Sequence, residues 1–128
     1  MMIEALFSQP NYLAAKKALD ASVLRQEAIA GNIANLETPG YRRRDLAPSF
    51  TTELRQATAS RDAAGLAALR PQLSVDRGAI ALSPDGNTIN LENEMMQLNQ
   101  NSLEHTLNSQ LITGNLLKLR LAITGKAS

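Results

Sequence analysis

"GNIANLETPGYRRRD", residues 31–45, is the stretch where the character of this 128-residue chain changes. Alanine and isoleucine lead into it at helical spacing, and the dipeptide Pro39-Gly40 then stops a helix firmly. That dipeptide predicts a type II turn, with the fixed φ of proline followed by a positive φ at glycine. Asn32 and Asn35 carry amides that can bond the backbone where the helix ends. The stretch therefore marks the boundary between an N-terminal helix and a different kind of segment.

The residues before this boundary predict a long helix over residues 11–36. Asn11 can cap its start, and Pro10 ends whatever precedes it. Mostly apolar residues recur at alternating steps of three and four, which is the spacing of a coiled-coil seam. The predicted seam runs through Tyr12, Ala15, Leu19, Ser22, Gln26, Ile29, Ile33 and Leu36.

The last part of the chain, residues 91–128, predicts a second long helix with the same spacing. Its predicted seam consists of Leu91, Met95, Leu98, Ser102, His105, Ser109, Ile112, Leu116, Leu119 and Ile123. A second apolar stripe consists of Leu103, Leu107, Leu111, Leu117 and Leu121. Two stripes make the apolar surface wider than one seam, so this helix needs partners on more than one side.

The middle segment, residues 37–90, contains repeated prolines and glycines that break it into short pieces. The sequence predicts helical pieces at residues 49–59 and 62–69 and a turn at residues 83–87. The runs "QLSV", "AIAL" and "TINL" can be extended, but each is short. The "RRR" run at residues 42–44 has two interpretations, a solvated surface or a contact with an acidic neighbouring subunit. We expect this segment to be poorly stabilised on its own.

The fold predicted is mainly α, as a single rod-type domain over residues 1–128. The two terminal helices pack as an antiparallel, coiled-coil-like pair, with the irregular and partly extended middle segment between them. Antiparallel pairing brings the polar seam positions to similar heights, and a buried polar layer is a known way to fix register. The residues of this predicted layer are Ser22 and Gln26 on one helix and Ser102, His105 and Ser109 on the other.

Composition excludes several classes of protein. The net charge of +1 argues against an overall electrostatic grip on nucleic acid or an anionic membrane. The absence of cysteine removes disulfides, thiolate nucleophiles and thiolate metal sites. The N-terminus lacks the features of a cleavable secretory signal, and no window is long and apolar enough to span a bilayer.

The sequence offers no catalytic, cofactor or metal site. His105 has no cysteine or second histidine to share a metal, so a hydrogen-bonding role on a packed helix face is the expected one. The acidic run that begins at Asp85 has its glycine at the second position, whereas a calcium loop has it at the sixth. No glycine-rich phosphate-binding pattern is present. We expect no enzyme activity, no cofactor, no nucleic-acid partner and no small-molecule substrate.

The segment from Ala30 to Tyr41 resembles the A-x-N-I-A-N-x-x-T-P-G-Y signature of bacterial flagellar axial proteins, the rod and hook subunits. Its matching residues are Asn32, Ile33, Ala34, Asn35, Thr38, Pro39, Gly40 and Tyr41. Hook and distal rod subunits carry larger β-rich insertions, for which the short middle segment leaves no room. The stretches at residues 41–46 and 85–96 resemble a proximal rod subunit, and its sister subunit FlgC is the closest competitor.

This resemblance implies a structural subunit of the flagellar drive shaft that transmits motor torque. It implies a location in the periplasmic rod of the basal body and export by the flagellar type III apparatus without a cleaved signal. Its partners would be other copies, other rod proteins, the inner-membrane ring and the rod-adapter protein. The expected assembly residues lie on the two seams: Leu19, Ile29, Ile33, Leu91, Met95, Leu98, Ile112, Leu116, Leu119 and Ile123. A coiled-coil adaptor or chaperone that does not polymerise, and a cofactor-free enzyme, stay open as alternatives.

Overall fold

The computed structural model describes residues 9–81 and 84–125. Helix α1, Pro10–Ala34, begins with proline in its first turn, where the missing N–H is no loss. It ends at Ala34 rather than at residue 36 because the chain tightens at Asn35, whose N–H bonds the carbonyl oxygens of Gly31 and Asn32. The long N-terminal helix predicted from the spacing is confirmed.

Four short elements lie between residues 35 and 81. They are strand β1, Arg44–Leu46, helix α2, Pro48–Ala59, helix α3, Ala63–Ala68, and strand β2, Leu73–Val75. The two strands pair in antiparallel register, with Asp45 opposite Ser74. The two predicted helical pieces are confirmed, and "QLSV" supplies β2.

Other parts of the middle segment differ from the sequence interpretation. Strand β1 was not predicted, because it begins inside the run of charged side chains, at Arg44. Residues 79–81 and 88–90, from "AIAL" and "TINL", lie outside any strand. Residues 82 and 83, which belong to "AIAL" and to the predicted turn, lie outside the described residues.

Helix α4, Leu91–Thr124, is the longest element, and its 34 residues correspond to about 51 Å. The Asn90 side chain caps its start by accepting a hydrogen bond from the N–H of Asn93 at 3.2 Å. Gly125, at φ +69°, ends it in the left-handed conformation that favours glycine. The predicted second long helix is confirmed.

Helices α1 and α4 pack side by side in opposite directions, as the cross-hairpin hydrogen bonds from Asn32 to Glu94 and from Asn101 to Ser22 show. The buried apolar residues of the subunit are few and mostly small: Ala15, Ala21, Ala28, Ile29, Phe50, Leu66 and Ile89. None of them lies on α4, whose buried residues are Glu94 and Asn101. The predicted antiparallel pair therefore forms, but α4 contributes polar side chains to the centre of the contact.

A substitution at Ile29 tests this small core, because the Ile29 side chain on α1 is fully buried. We expect Ile29→Ala to lower the free energy of unfolding by about 2–5 kcal/mol through lost apolar contact and a cavity. Val23→Ala, at a position 49% exposed on the same helix, should cost under about 0.5 kcal/mol. Urea unfolding of both variants checks this, and equal costs would show that Ile29 is not a core residue.

Candidate functional site

Asn32 of the signature is fully buried and ties the end of α1 to strand β1. Its Nδ2 donates to the carbonyl oxygen of Arg44 at 2.9 Å, and its Oδ1 accepts from the N–H of Arg44 at 2.9 Å. The side-chain amide thereby bonds both backbone groups of Arg44, as a neighbouring strand would. Nδ2 also lies 3.2 Å from Glu94 Oε2, and Tyr41 donates its hydroxyl to Oδ1 at 3.4 Å. These bonds explain why a strand forms at Arg44–Leu46.

The second asparagine of the signature holds the turn that follows. Asn35 Nδ2 donates to the carbonyl oxygen of Gly31 at 2.8 Å, an acceptor that also receives the N–H of Asn35. Asn35 Oδ1 accepts from the hydroxyl of Thr38 at 3.0 Å. The N–H of Tyr41 then bonds the Thr38 carbonyl oxygen, and Gly40 takes φ +70°. The hydrogen bond and the positive φ expected of a type II turn are both present.

Asn87, near the end of the middle segment, binds the backbone just after the end of α1. It is buried, and its Nδ2 lies within hydrogen-bond distance of three carbonyl oxygens, those of Asn35 and Leu36 at 3.0 Å and of Thr38 at 2.7 Å. Its Oδ1 accepts from the N–H of Ile89 at 2.8 Å. The chain just before α4 is thus fastened to the turn just after α1.

Arg43, the middle arginine of the run, is buried and forms the centre of an ion-pair cluster. Its Nε donates to Glu94 Oε1 at 2.7 Å, and its Nη1 donates to Asp76 Oδ2 at 2.6 Å and to Asp45 Oδ2 at 3.3 Å. Asp45 also accepts from Arg25 Nε at 2.9 Å. The predicted alternatives for the run, a solvated surface or a contact with a neighbour, are wrong for Arg43 because its partners lie within the subunit.

The electrostatics of the cluster follow from these contacts. Burial alone would lower the pKa of Arg43, but the hydrogen bonds to Glu94 and Asp76 outweigh it and raise that pKa. The same hydrogen bond from Arg43 lowers the pKa of Asp76, while burial acts in the opposite direction. Both groups are therefore held in their charged forms.

A polar layer lies at the centre of the α1–α4 contact. The Ser22 hydroxyl donates to the Leu19 carbonyl oxygen at 2.7 Å, so it accepts from His105 Nδ1, which lies 2.9 Å away. Asn101 Nδ2 donates to the Ser22 carbonyl oxygen at 2.8 Å and to Gln26 Oε1 at 3.1 Å. Ser22 and His105 thus meet as predicted. The predicted layer is not buried as a whole, because Gln26, Ser102 and His105 are exposed, and its buried member on α4, Asn101, was not predicted.

The expected assembly residues fall into two groups in the subunit. Leu19, Ile33, Leu98, Ile112 and Leu119 are half-buried, and Ile29 is fully buried against its own subunit. Leu91, Met95, Leu116 and Ile123 are between 44% and 63% exposed. The second stripe is also exposed along its length, as predicted from its position. The helix that closes the subunit therefore presents two apolar faces to its surroundings.

The described residues hold no group of three or more His, Cys, Asp or Glu side chains placed to bind a metal ion. Among the helices of residues 9–81 and 84–125, none has the length and hydropathy needed to cross a membrane.

Sequence reasoning missed Arg43, Glu94, Asn87 and Asn101. Glu94 lies in the first turn of α4, where an acidic residue favours the helix dipole, and it is also fully buried. The sequence did contain a signal for this ion pair, namely an acidic residue at the start of α4 and a run of three arginines in the middle segment. A chain with few large apolar residues must hold its middle segment by polar contacts, so a pair between the two was to be considered.

Comparison with known proteins gives a family for this chain. A family model described as flagella basal body rod protein matches residues 13–42, which span most of α1 and the turn after it. The flagellar basal body rod protein FlgB of Escherichia coli is 32% identical over 117 residues, covering 79% of this chain and 83% of the relative. The FlgB protein of Salmonella typhimurium is 31% identical over 126 residues, covering 86% and 90%. That of Borrelia hermsii is 32% identical over 111 residues, covering 73% and 80%.

Removing Glu94 tests the buried ion pair. We expect Glu94→Ala to lower the free energy of unfolding by about 3–5 kcal/mol, because it leaves the buried guanidinium of Arg43 without its main partner. Asp20→Ala removes an exposed pair with Lys16 on α1 and should cost under about 0.5 kcal/mol. Urea unfolding measures both, and a Glu94→Ala cost no larger than that of Asp20→Ala would contradict the role assigned to the pair.

Asp76 gives the subunit a specific dependence on pH. Its pKa is lower in the folded state than in the unfolded chain, so its contribution to stability is present above the ordinary value of 3.8. That contribution is lost as the pH falls through the lowered value. The free energy of unfolding should therefore fall less for Asp76→Asn than for the wild type between pH 6 and pH 3. Parallel falls in the two proteins would show that Asp76 is not linked to folding.

Proposed function

The chain belongs to the FlgB family of flagellar basal-body rod proteins, and we propose on that premise that it is a structural subunit of the proximal rod. It assembles with other copies of itself and with other rod proteins into the shaft that transmits motor torque. The observation that carries the proposal is the pair of exposed apolar faces on α4, since large exposed apolar patches mark surfaces that bind other proteins.

The arrangement of contacts within the subunit supports this role. Directional polar contacts, from Asn32, Arg43 and Asn101, fix α1, the middle segment and α4 to one another. Apolar side chains of α4 are consequently left free to pack against neighbours. Transmission of torque requires a subunit that keeps its shape under load, and a register fixed by polar layers meets that requirement.

Rod assembly needs contacts that repeat without closing on themselves. The second stripe of α4 is exposed, and so are Leu91, Met95, Leu116 and Ile123 of its seam, so one subunit can meet more than one neighbour. Contacts between two different faces are heterologous, and when they do not close into a ring they generate a helical filament. We expect the terminal helices of adjacent subunits to form the layers of the shaft in this way.

Membership of the family also supports finer proposals about place and partners. The subunit lies in the periplasmic part of the basal body, next to the inner-membrane ring and the rod-adapter protein. The flagellar type III apparatus carries it there. The relatives named above are of the FlgB type, which favours that type over the sister subunit FlgC.

Deletion and complementation in the host test the function. We expect cryo-electron tomography of the deletion strain to show basal bodies that stop at the inner-membrane ring, and a wild-type copy to restore the rod and swimming. Intact rods in the deletion strain would contradict the proposal and favour the adaptor that does not polymerise.

The same strain tests the exposed face of α4 through Leu116, which is 45% exposed in the subunit. We expect Leu116→Asp to leave the melting temperature of the free subunit nearly unchanged but to abolish swimming, because a charge cannot be buried against a neighbour. Leu116→Met, which keeps an uncharged apolar side chain at the same position, is the matched control and should swim. Normal swimming of Leu116→Asp would refute the use of this face.

A further inference from the structure

One buried side-chain atom of the α1–α4 contact has no hydrogen-bond partner. Among the side chains that the structure describes, Asn101 Oδ1 is the buried oxygen or nitrogen left unpaired. The amide cannot be reversed, because Asn101 Nδ2 already donates to the Ser22 carbonyl oxygen at 2.8 Å and to Gln26 Oε1 at 3.1 Å. A buried acceptor without a donor costs free energy, so a donor supplied from outside the subunit would stabilise this site.

Asn101 lines a groove between α1 and α4 with a volume of about 350 Å³. Glu27 lines the groove from α1, and its exposed carboxylate forms no ion pair with a described residue. His105 lines it from α4, and because its Nδ1 donates to Ser22, its Nε2 is left as an acceptor. Among the described residues that line the groove, none is a lysine or an arginine. The groove thus offers acceptors and a negative charge without a cation to match them.

A guanidinium group has the chemistry that this groove lacks. It carries a positive charge and five N–H donors in a planar fork, so one arginine can bond both the Glu27 carboxylate and Asn101 Oδ1. Arg25 of α1 does not supply it, because its guanidinium binds Asp45 Oδ1 at 2.9 Å. Gln26, which is bonded to the Asn101 amide, is exposed and can change rotamer, so a side chain from outside can reach Asn101.

The arginine run presents guanidinium groups on another part of the surface. Arg43 is buried in the ion-pair cluster, but Arg42 and Arg44 on either side of it are exposed, and neither forms an ion pair with a described residue. The backbone of Arg44 is fixed, because Asn32 bonds both its N–H and its carbonyl oxygen. A fixed backbone lowers the entropy that is lost when the side chain binds a neighbour.

The groove and strand β1 lie on different sides of the subunit. Arg25, which binds Asp45 of β1, precedes Glu27 by two residues, so these two side chains are about 200° apart around α1. Arg44 of β1 is therefore placed to meet the groove of a neighbour and not the groove of its own subunit.

We propose that the groove binds the Arg44 guanidinium of a second copy of this chain, which donates to the Glu27 carboxylate and to Asn101 Oδ1. The proposal rests on the proposed rod function and names one contact within it. The groove of one copy and strand β1 of the next are different surfaces, so the contact is heterologous and can repeat along a filament. Complementary charge at such a contact also fixes which surfaces meet.

Charge reversal tests this pair. Arg44→Glu and Glu27→Arg should each lower incorporation into rods by about tenfold or more, because each places like charges together. The double variant should return incorporation to near the wild-type level, because it restores the pair with its charges exchanged. Arg44→Lys keeps the charge without the planar fork, so its incorporation should fall between those of the wild type and Arg44→Glu. Arg42→Glu, the same change at an exposed arginine two residues away, is the matched control and should incorporate normally.

The readout is the amount of each variant in basal bodies purified from the deletion strain, with the melting temperature of each free full-length variant as the check on folding. Wild-type incorporation of Arg44→Glu would overturn the contact, and so would a double variant that incorporates no better than the single ones. Equal losses for Arg42→Glu and Arg44→Glu would overturn the choice of Arg44. Failure of the rod function is a separate result, because the wild-type copy would then not restore rods.

Cross-linking identifies the occupant. Val23 lines the groove and Arg42 lies two residues before Arg44, so cysteines at these positions leave the proposed pair intact in a chain that has no other cysteine. In purified basal bodies, a short bismaleimide should link chains that carry both Val23→Cys and Arg42→Cys into a ladder of multimers, whereas chains with either single cysteine should stay monomeric. Dimers of a single-cysteine chain would show a contact between identical surfaces, and links only to another rod protein would exclude a second copy. Either result would overturn the proposal.

Discussion

The buried ion pair between Arg43 and Glu94 is the interaction on which the rest of the subunit depends. Two charges removed from water are tolerated only when each is paired and hydrogen-bonded, and here the pairing requires three segments to meet. Glu94 comes from the first turn of α4, Arg43 from the residue before β1, and Asp76 from the residue after β2. Asn32 adds the end of α1 through its bonds to Glu94 and Arg44. One polar cluster therefore orders the hairpin and the middle segment together.

This way of building a subunit leaves its apolar side chains for other contacts. The buried apolar residues are mostly alanines, and the α4 side of the hairpin contact is formed by Glu94, Asn101 and half-buried neighbours. Polar contacts are directional, so they fix the relative height of α1 and α4 even though they bury little apolar area. Leucines and methionines on the remaining faces of α4 stay exposed in the single subunit. Polar contacts thus hold the subunit together, and the exposed apolar side chains are available to pack against neighbouring subunits.

The sequence predicted the elements that depend on local pattern and missed the contacts that depend on tertiary position. Periodicity located both long helices, and proline and glycine located the turn at residues 38–41. The signature residues were singled out as a family motif, and the bonds of Asn32 to Arg44 and Glu94 could not be predicted from local pattern, since these partners lie 12 and 62 residues away. Arg43 was assigned to the surface or a neighbour because charged residues are rarely buried unless paired. On the predicted seam of α4, Leu98 and Ile112 are half-buried and His105 bonds Ser22 from an exposed position, whereas Leu91, Met95 and Leu116 are exposed.

The central claim is that polar contacts close the subunit while the apolar faces of α4 are covered only on assembly. The chain contains no cysteine, so Leu116→Cys would introduce a single thiol on one of those faces. The most direct measurement is the rate at which a maleimide labels that thiol in the free subunit and in basal bodies from a swimming strain. We expect rapid labelling of the free subunit and strong protection in the basal body. Equally rapid labelling in both would contradict the claim, because the face would then be exposed in the working rod.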